Sequence, residues 1–390
     1  MAKHVAVIGA GAFGGWTALW LRRKGARVTL LDAWGPGNSR SSSGGETRAI
    51  RVAYGADRLY TEWVARSLPQ WKEAEERWGV RLYHRTGVLW MAPEDDTYLR
   101  ASIPLAREVG LAIEELSLAE GRRRFPQIDL GDVHRLYQEK EAGYLMARRA
   151  CRAVAQAFVA EGGEYRQLAV RPGPLRKDSL QEIALSDGTT LRADAFVFAC
   201  GPWLGEIFPE AAGPLIRNTR QEVFFFGTPP GDPRYSEGML PVWMDLGQQI
   251  FYGMPGNDHR GFKIADDTRR GTIDPTRDER LPSPKRLREA RDYLARRFPG
   301  LAGAPLLETR VCQYENSPDG HLLIDRLPGA ANAWLLGGGS GHGFKLAPAL
   351  GEFVADLVLA DGQPLPQLRL DRPGHPSGGK MKTQFTTGKT

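Results

Sequence analysis

A glycine-rich turn between two short apolar runs places the strongest restriction on how this chain can fold. It lies in the segment HVAVIGAGAFGGWTALWLRRKGARVTLLDA, near the start of the sequence. The runs Val5–Ile8 and Val28–Leu31 are typical of buried strands. Between them, Phe13–Arg23 has the pattern of a helix, and Gly25 ends it. The order strand, helix, strand predicts a βαβ unit and therefore a layer of parallel strands.

Gly9, Gly11 and Gly14 give this turn the spacing G-x-G-x-x-G. The first glycine makes the turn, the second lets a pyrophosphate approach the backbone, and the third lets the helix pack on the strand. Asp32 ends the second strand, 18 positions after Gly14, where a carboxylate accepts a hydrogen bond from a ribose hydroxyl. An acid there argues against a 2′-phosphate. The pattern predicts a site for FAD or NAD, and the alternative is a purely structural glycine turn.

Two later strands that end in glycine favour FAD over NAD. FVFACG places a buried strand, Ala195–Ala199, in the middle of the chain, and NAWLLGGGSGHGFKLAPALGEFVADLVLA adds a strand, a glycine-rich loop and a helix near the end. NAD domains are usually contiguous, whereas FAD domains of this layout are split. The N-terminus of the last helix would direct partial positive charge at the flavin pyrimidine.

We therefore expect an α/β (α+β) fold with two domains. A Rossmann-like FAD-binding domain is predicted from the discontinuous segments 1–85, 148–215 and 310–372, and a mixed-sheet substrate domain from 86–147 and 216–309. The segment 373–390 is rich in proline, glycine, lysine and threonine and is expected to be disordered.

Charge and cysteine content narrow the class of partner. The formal net charge is +6, but lysine and arginine alternate with acids and the run Arg122–Arg124 contains only three residues. This pattern argues against a nucleic-acid partner and favours a small anionic substrate.

No stretch has the length and apolar character of a membrane span, and the start of the chain does not resemble a signal peptide. Three widely spaced cysteines exclude a disulfide framework and a metal site, and they predict a cytoplasmic protein.

Four motifs together identify a family resemblance: GAGAFGG, GETRAIRVAYG at 45–55, CQYENSPDGHLLID at 312–325 and GSGHGFKLAPALGE at 339–352. With them, the chain resembles the monomeric sarcosine oxidase and N-methyltryptophan oxidase family, a branch of the D-amino-acid-oxidase superfamily, as far as about residue 372. The resemblance implies a monomeric enzyme that uses FAD to oxidise a secondary or N-alkyl amino acid to an imine. The imine is hydrolysed, and O₂ is reduced to H₂O₂.

The resemblance also implies roles for single residues. Cys312 matches the cysteine that bonds covalently to the flavin through sulfur, and the alternative is a buried core cysteine, as expected for Cys151 and Cys200. Arg51 and Lys345 match the pair that holds the substrate carboxylate, against the alternative of surface cations.

Three further residues are implied to be catalytic. Arg48 matches a basic residue over the flavin ring, Lys263 matches the lysine that activates O₂, and Tyr252 matches an aromatic residue around the substrate. Tyr314 matches a second such aromatic, implied to bind substrate, although plain packing explains it almost as well. The implied cofactor contacts are Gly9, Gly11, Gly14, Asp32, Ser42, Thr47, Arg48, Val170, Gly201, Cys312, Gly339, Gly341, Gly343 and Lys345.

Three positions depart from the family pattern. Asp267 stands where histidine often follows the oxygen-activating lysine, Gly44 stands where histidine is common, and Gln313 replaces an apolar residue. A carboxylate near the amine end of the substrate would favour a more cationic or longer substrate than sarcosine.

Two other functions remain open. One is a dehydrogenase that passes electrons to a partner, against which Lys263 argues. The other is a flavin-binding module without turnover, against which Cys312, Arg51 and Lys345 argue together. An oxidase of this kind needs a neutral substrate amine, so its rate is expected to rise with pH.

Overall fold

The computed structural model describes residues 2–372, so the predicted disorder of 373–390 lies outside the described residues. Within them the α-helices are α1 Ala12–Arg23, α2 Arg58–Trp78, α3 Thr97–Glu108, α4 Leu118–Arg124, α5 Ala147–Ala160, α6 Leu204–Ile207, α7 Pro284–Arg297 and α8 Ala347–Ala360. The strands of the first half are β1 His4–Ile8, β2 Arg27–Leu31, β3 Thr47–Ile50, β4 Tyr83–His84, β5 Val88–Ala92, β6 Glu114–Leu116, β7 Arg135–Glu139, β8 Gly143–Met146, β9 Glu164–Arg166, β10 Val170–Pro172, β11 Leu175–Arg176, β12 Ser179–Leu180, β13 Ile183–Leu185, β14 Thr190–Leu191 and β15 Ala195–Phe198. The strands of the second half are β16 Arg217–Phe226, β17 Val242–Asp245, β18 Phe251–Met254, β19 Phe262–Asp266, β20 Leu306–Asn316, β21 Leu323–Leu327 and β22 Ala330–Gly337.

A six-stranded sheet, in the order β21-β22-β15-β1-β2-β9, carries the predicted nucleotide-binding layer. Val5 of β1 pairs in parallel with Val28 of β2 on one side and with Ala195 of β15 on the other. β22 continues the parallel pairing beside β15. The predicted assembly of this layer from distant segments is confirmed.

Helices α1 and α8 pack together against this sheet. Their contact is close because Gly351 of α8 has no side chain: a Cβ atom there would lie 2.7 Å from the carbonyl carbon of Trp16. A continuous apolar core joins the two helices to the sheet, with Trp16, Leu19, Leu350 and Val354 all buried.

An eight-stranded sheet forms the second layer, in the order β20-β16-β19-β18-β17-β5-β7-β6. Its strands pair antiparallel except for β17 and β5, so it is mixed, as predicted. The α/β class with mixed sheets agrees with the sequence analysis. β20 starts before the predicted domain boundary at residue 310 and ends after it. It pairs with the whole length of β16, so the strand belongs to the second layer on both sides of that boundary. The exact boundaries stay a prediction.

Alternation along β19 separates the two faces of this sheet. Phe262 and Ile264 face an aromatic core under α7, where Phe262 lies 5.8 Å from Trp243 between ring centroids. Successive side chains of a strand point to opposite faces, so Lys263 points the other way. None of the helices in residues 2–372 is long and apolar enough to cross a bilayer.

Candidate functional site

The carboxyl ends of the parallel strands border a cavity of about 620 Å³. Loops after β1, β2, β15 and β22 all reach this edge of the sheet, which is where open α/β sheets bind their ligands. The cavity therefore lies where the glycine motif predicts a dinucleotide. Its lining includes Gly9, Gly11, Asp32, Ser42, Arg48, Val170, Gly201, Glu315, Gly339, Gly341 and Gly343.

The three motif glycines do different work at this edge. A Cβ atom on Gly14 would lie 1.9 Å from the carbonyl oxygen of Gly9, so Gly14 lets α1 begin directly against β1. A Cβ atom on Gly11 would find Ser43 Oγ as its nearest neighbour, at 3.5 Å, so the space in front of Gly11 is open. Gly11, the residue before α1, has no capping side chain, and Ser43 Oγ accepts the backbone N–H of Ala12 at 3.2 Å. A helix start that is only partly capped and lies behind open space suits a pyrophosphate.

Asp32 lies at the edge of the cavity with both carboxylate oxygens engaged. Oδ2 accepts the backbone N–H of Ala10 at 2.8 Å, and Oδ1 accepts those of Trp34 at 2.9 Å and Gly35 at 2.7 Å. Burial raises the pKa of Asp32, and these three hydrogen bonds oppose the rise. A carboxylate has about four acceptor positions, so one stays available for a ribose hydroxyl.

A smaller cavity of about 70 Å³ adjoins the larger one, and Arg48, Tyr314, Gly341 and Phe344 line both. The smaller cavity collects the residues predicted to bind substrate. Its lining includes Thr47, Arg48, Arg51, Gln221, Met244, Tyr252, Asp267, Cys312, Tyr314, His342 and Lys345.

Arg51 and Lys345 are buried cations on one side of the smaller cavity, 2% and 4% exposed. Arg51 follows β3, and Lys345 lies in the 3₁₀ turn before α8. Lys345 Nζ donates to Tyr54 Oη at 2.8 Å and to the His342 carbonyl at 2.9 Å, and Arg51 stacks 4.7 Å from the ring of the same Tyr54. Burial, and then the charge of Arg51, lower the pKa of Lys345 well below its usual value. Two neighbouring buried cations favour an anionic ligand.

Lys263 lies behind Thr47 at the border of this cavity. Its Nζ donates to the carbonyl and to Oγ1 of Thr47, both at 3.0 Å, and lies 6.0 Å from the ring centroid of Tyr252. Burial, with a smaller effect of Arg48, lowers the pKa of Lys263 to about 7. The lysine can therefore change charge near neutral pH.

The three cysteines differ in burial. Cys151 and Cys200 are buried, and burial raises the pKa of both, that of Cys151 to about 12. Cys312 is half-buried on β20, and the guanidinium of Arg48 lies 3.6 Å from its sulfur. Of the three, Cys312 alone lines the smaller cavity.

The structure divides the predicted cofactor contacts into three groups. Those that line the larger cavity are Gly9, Gly11, Asp32, Ser42, Arg48, Val170, Gly201, Gly339, Gly341 and Gly343. Thr47, Cys312 and Lys345 line the smaller cavity instead, and Gly14 lines neither because it packs on Gly9.

Sequence reasoning missed two buried residues. Glu315 lines the larger cavity and accepts a hydrogen bond from Ser42, and burial raises its pKa. The signal available for it was its position three residues after Cys312. Tyr54 contacts both Arg51 and Lys345 through its ring. The sequence feature that could have identified it is its place in the same motif as Arg51.

Comparison with known proteins agrees with this geometry. The family model described as FAD dependent oxidoreductase matches residues 4–357. The monomeric sarcosine oxidase of Bacillus sp. (strain B-0618) is 29% identical over 92% of this chain and 93% of its own length. The N-methyl-L-tryptophan oxidase of Salmonella newport (strain SL254) is 30% identical over 92% and 95%.

The solved structure of L-proline dehydrogenase from P. horikoshii has the same fold, with a TM-score of 0.81 at 22% identity over 94% of this chain and 95% of that one. The resemblance inferred from the four motifs is confirmed by the curated relatives. Because the family model spans most of the sequence, the chain belongs to the family of FAD-dependent oxidoreductases.

Proposed function

We propose that this protein is an oxidase that uses FAD to convert a small secondary or N-alkyl amino acid to an imine, which water hydrolyses, while O₂ is reduced to H₂O₂. The observation that carries the proposal is the buried pair Arg51 and Lys345 in a small cavity that adjoins the dinucleotide cavity. A cation pair fixes the carboxylate of an amino acid, so the bond to be oxidised is held in one orientation.

The size of the smaller cavity favours a small substrate. The cavity has about 70 Å³. This space suits a compact amino acid better than one with an indole side chain.

The larger cavity suits FAD. The backbone around Gly11 would hold the pyrophosphate, Asp32 a ribose hydroxyl, and the glycine-rich loop 338–343 the part of the cofactor nearest the smaller cavity. Bound FAD supplies an acceptor for the two electrons of a hydride. Cys312, beside Arg48 where the two cavities meet, is proposed to tether the flavin covalently through its sulfur.

Lys263 favours the oxidase over a dehydrogenase. A cation in a buried site stabilises the negative charge that develops when O₂ is reduced. Lys263 is buried, and its hydrogen bonds to Thr47 hold it next to the smaller cavity. The monomeric state and the cytoplasmic location stay predictions.

A peroxide-coupled screen tests the function. Sarcosine, N-methyl amino acids, proline, pipecolate, glycine, and D- and L-amino acids would be incubated with the purified protein in air, and each also with a reducible dye under nitrogen. The proposal expects peroxide release with a small N-alkyl or cyclic amino acid. Dye reduction without peroxide would instead support the dehydrogenase. If no compound reduces the bound flavin, the protein is a flavin-binding module without this turnover.

A further inference from the structure

Asp267 is a buried carboxyl group in the smaller cavity, 6% exposed, with an unused acceptor. It follows directly after β19, and its backbone N–H donates to the carbonyl of Ile250 at 2.9 Å. Its Oδ1 accepts the hydroxyl of Tyr314 at 3.1 Å. Its Oδ2 is buried and has no hydrogen-bond partner among residues 2–372. Buried carboxylates are normally paired, so an unpaired oxygen in a ligand cavity indicates that the ligand supplies the partner.

The polarity of the cavity identifies that partner. Arg51 and Lys345 are cations on the same small cavity, and both interact electrostatically with Asp267. The lining therefore offers cations to a carboxylate and an unpaired carboxylate oxygen to a positive group. A volume of about 70 Å³ leaves little room for a charged side chain in addition to the amino acid itself. The positive group that fits is the substrate's own ammonium.

We propose that Asp267 pairs with the substrate ammonium through Oδ2 and accepts its proton before the carbon–hydrogen bond breaks. The proposal rests on the proposed function and adds a catalytic residue to it. The N–H bond breaks, its electron pair stays on nitrogen, and an O–H bond forms at Oδ2. FAD, when bound, would accept a hydride with its two electrons from the carbon, and the nitrogen pair would form the C=N bond of an iminium ion, which water hydrolyses. Asp267 afterwards releases its proton to water.

The electrostatic surroundings bring the pKa of the substrate ammonium, which donates the proton, closer to that of Asp267, which accepts it. Burial raises the pKa of Asp267 above its usual value, against the smaller effects of Arg269 and of the hydrogen bond from Tyr314. An ammonium placed beside two cations and away from water has its own pKa lowered. Both shifts favour transfer of the proton. The groups that face Asp267 are Asp266 and Arg269 on its own segment, Tyr252 on β18, Tyr314 on β20, Arg51 after β3 and Lys345 before α8.

The first test measures flavin bleaching by sarcosine under nitrogen, between pH 6 and pH 10.5, in the wild type and in Asp267→Asn. Without the acceptor only the rare neutral amine can react. An alkyl amine has a pKa near 10, so the variant should be slower by on the order of 100-fold at pH 7.5. The wild-type rate should change little over this range, unlike the rise with pH expected from the sequence, because Asp267 takes the proton. The rate of the variant should rise about tenfold per pH unit and approach the wild-type rate near pH 10. A wild-type pH profile in Asp267→Asn would overturn the proposal.

Asp266→Asn is the matched control. Asp266 lies next to Asp267 but pairs with Arg286 at 3.0 Å and with Thr268, away from the smaller cavity. The charge of Asp266 raises the pKa of Asp267, so Asp266→Asn can shift the profile slightly along the pH axis, but it should not produce the tenfold rise per pH unit. If both variants slow equally at every pH, loss of charge near the sheet is responsible and the proposal fails.

The second test uses butanoate, which is sarcosine with CH₂ in place of NH₂⁺, and measures binding by calorimetry. In the wild type, butanoate should bind more weakly as Asp267 ionises with rising pH, because its CH₂ cannot pair with the carboxylate. In Asp267→Asn the part of that loss that comes from Asp267 should disappear, and affinity at pH 7.5 should rise several-fold. Equal affinity and equal pH dependence in the two proteins would contradict the proposal. A wild type that no N-alkyl amino acid reduces would instead refute the proposed function.

Discussion

Cys312 lines the smaller cavity and Cys200 the larger one, but only Cys312 is half-buried and beside a guanidinium. We expect acid-denatured wild-type protein to retain its yellow colour and Cys312→Ser to release it. Cys200→Ser is the control, because Cys200 is buried, its Sγ donates to the Ile8 carbonyl at 3.6 Å, and it does not line the smaller cavity. Absorbance of the acid precipitate and supernatant gives the result. Free flavin from the wild type would show that Cys312 only packs.

Arg51 and Lys345 are expected to bind the carboxylate together. Arg51→Ala or Lys345→Met should weaken the binding of butanoate and of substrate by about 1.5–3 kcal/mol, because a charge-assisted hydrogen bond in a dry site is lost. Titration calorimetry measures the change. A surface arginine variant such as Arg192→Ala, whose side chain is 81% exposed, should leave the affinity unaltered. Wild-type affinity in both cavity variants would refute their role.

Lys263 should control the reaction with oxygen. Its pKa of about 7 means that the side chain is charged below pH 7 and neutral above it. The rate of flavin reoxidation should therefore fall as pH rises through about 7. Lys263→Met should remove this dependence and slow reoxidation by two to three orders of magnitude, roughly the effect of losing one preorganised donor.

Stopped-flow traces of the two half-reactions separate this role from substrate binding. Anaerobic bleaching by sarcosine should stay near the wild-type rate in Lys263→Met. If bleaching slows and reoxidation does not, Lys263 acts on the substrate and the dehydrogenase alternative gains support.

At the scale of residues, the sequence predicted which residues belong to the site better than it predicted their burial and contacts. Arg51, Tyr314 and Lys345 each lie in one of the motifs, Tyr252 is assigned by the family resemblance alone, and the structure brings all four to one cavity. Burial, which lowers the pKa of the lysines and leaves Asp267 Oδ2 without a partner, depends on contacts between residues far apart in the chain. No local pattern reports such contacts.

At the scale of elements, the turn before α1 contains one glycine that the fold requires, Gly14, and one that cofactor binding requires, Gly11. A methyl group on Gly14 would clash with Gly9, whereas one on Gly11 has room in the protein itself. Gly14→Ala should destabilise the fold, by about 1–3 kcal/mol as for an overpacked site. Gly11→Ala should keep the melting temperature of the FAD-free protein but weaken FAD binding, because its methyl group occupies the space in front of α1.

Thermal unfolding of the FAD-free proteins and titration with FAD measure the two effects. Equal losses of stability in both variants would contradict the distinction.

The N-terminal βαβ unit was predicted to within about one residue at each boundary, because its signals are local. The pairing of β16 with β20 was not predicted, since some 80 residues separate the two strands.

At the scale of the whole molecule, three separate strands that each end in glycine predict a split layer. The positions of β9 at one edge of that layer and of β21 at the other do not follow from the sequence. The edge strand β9 is short and the edge strand β21 is partly polar. The position of each depends on which strand edges remain unpaired once the central strands have formed their hydrogen bonds. The mixed sheet was expected, but its strand order is set by contacts across most of the chain.

The order of the six-stranded sheet also bears on how the protein is made. β1 has its partner β2 soon after synthesis begins, but β15 and β22 complete the sheet much later, and Ile8 and Ala330 are 322 positions apart. At about 5–20 residues per second, a ribosome needs roughly 15–65 s to cover that distance. During this interval the nascent chain carries an open, apolar strand edge that invites pairing with other chains. A nascent chain that stops before Gly337 would keep that edge exposed and become a substrate for chaperones and proteases.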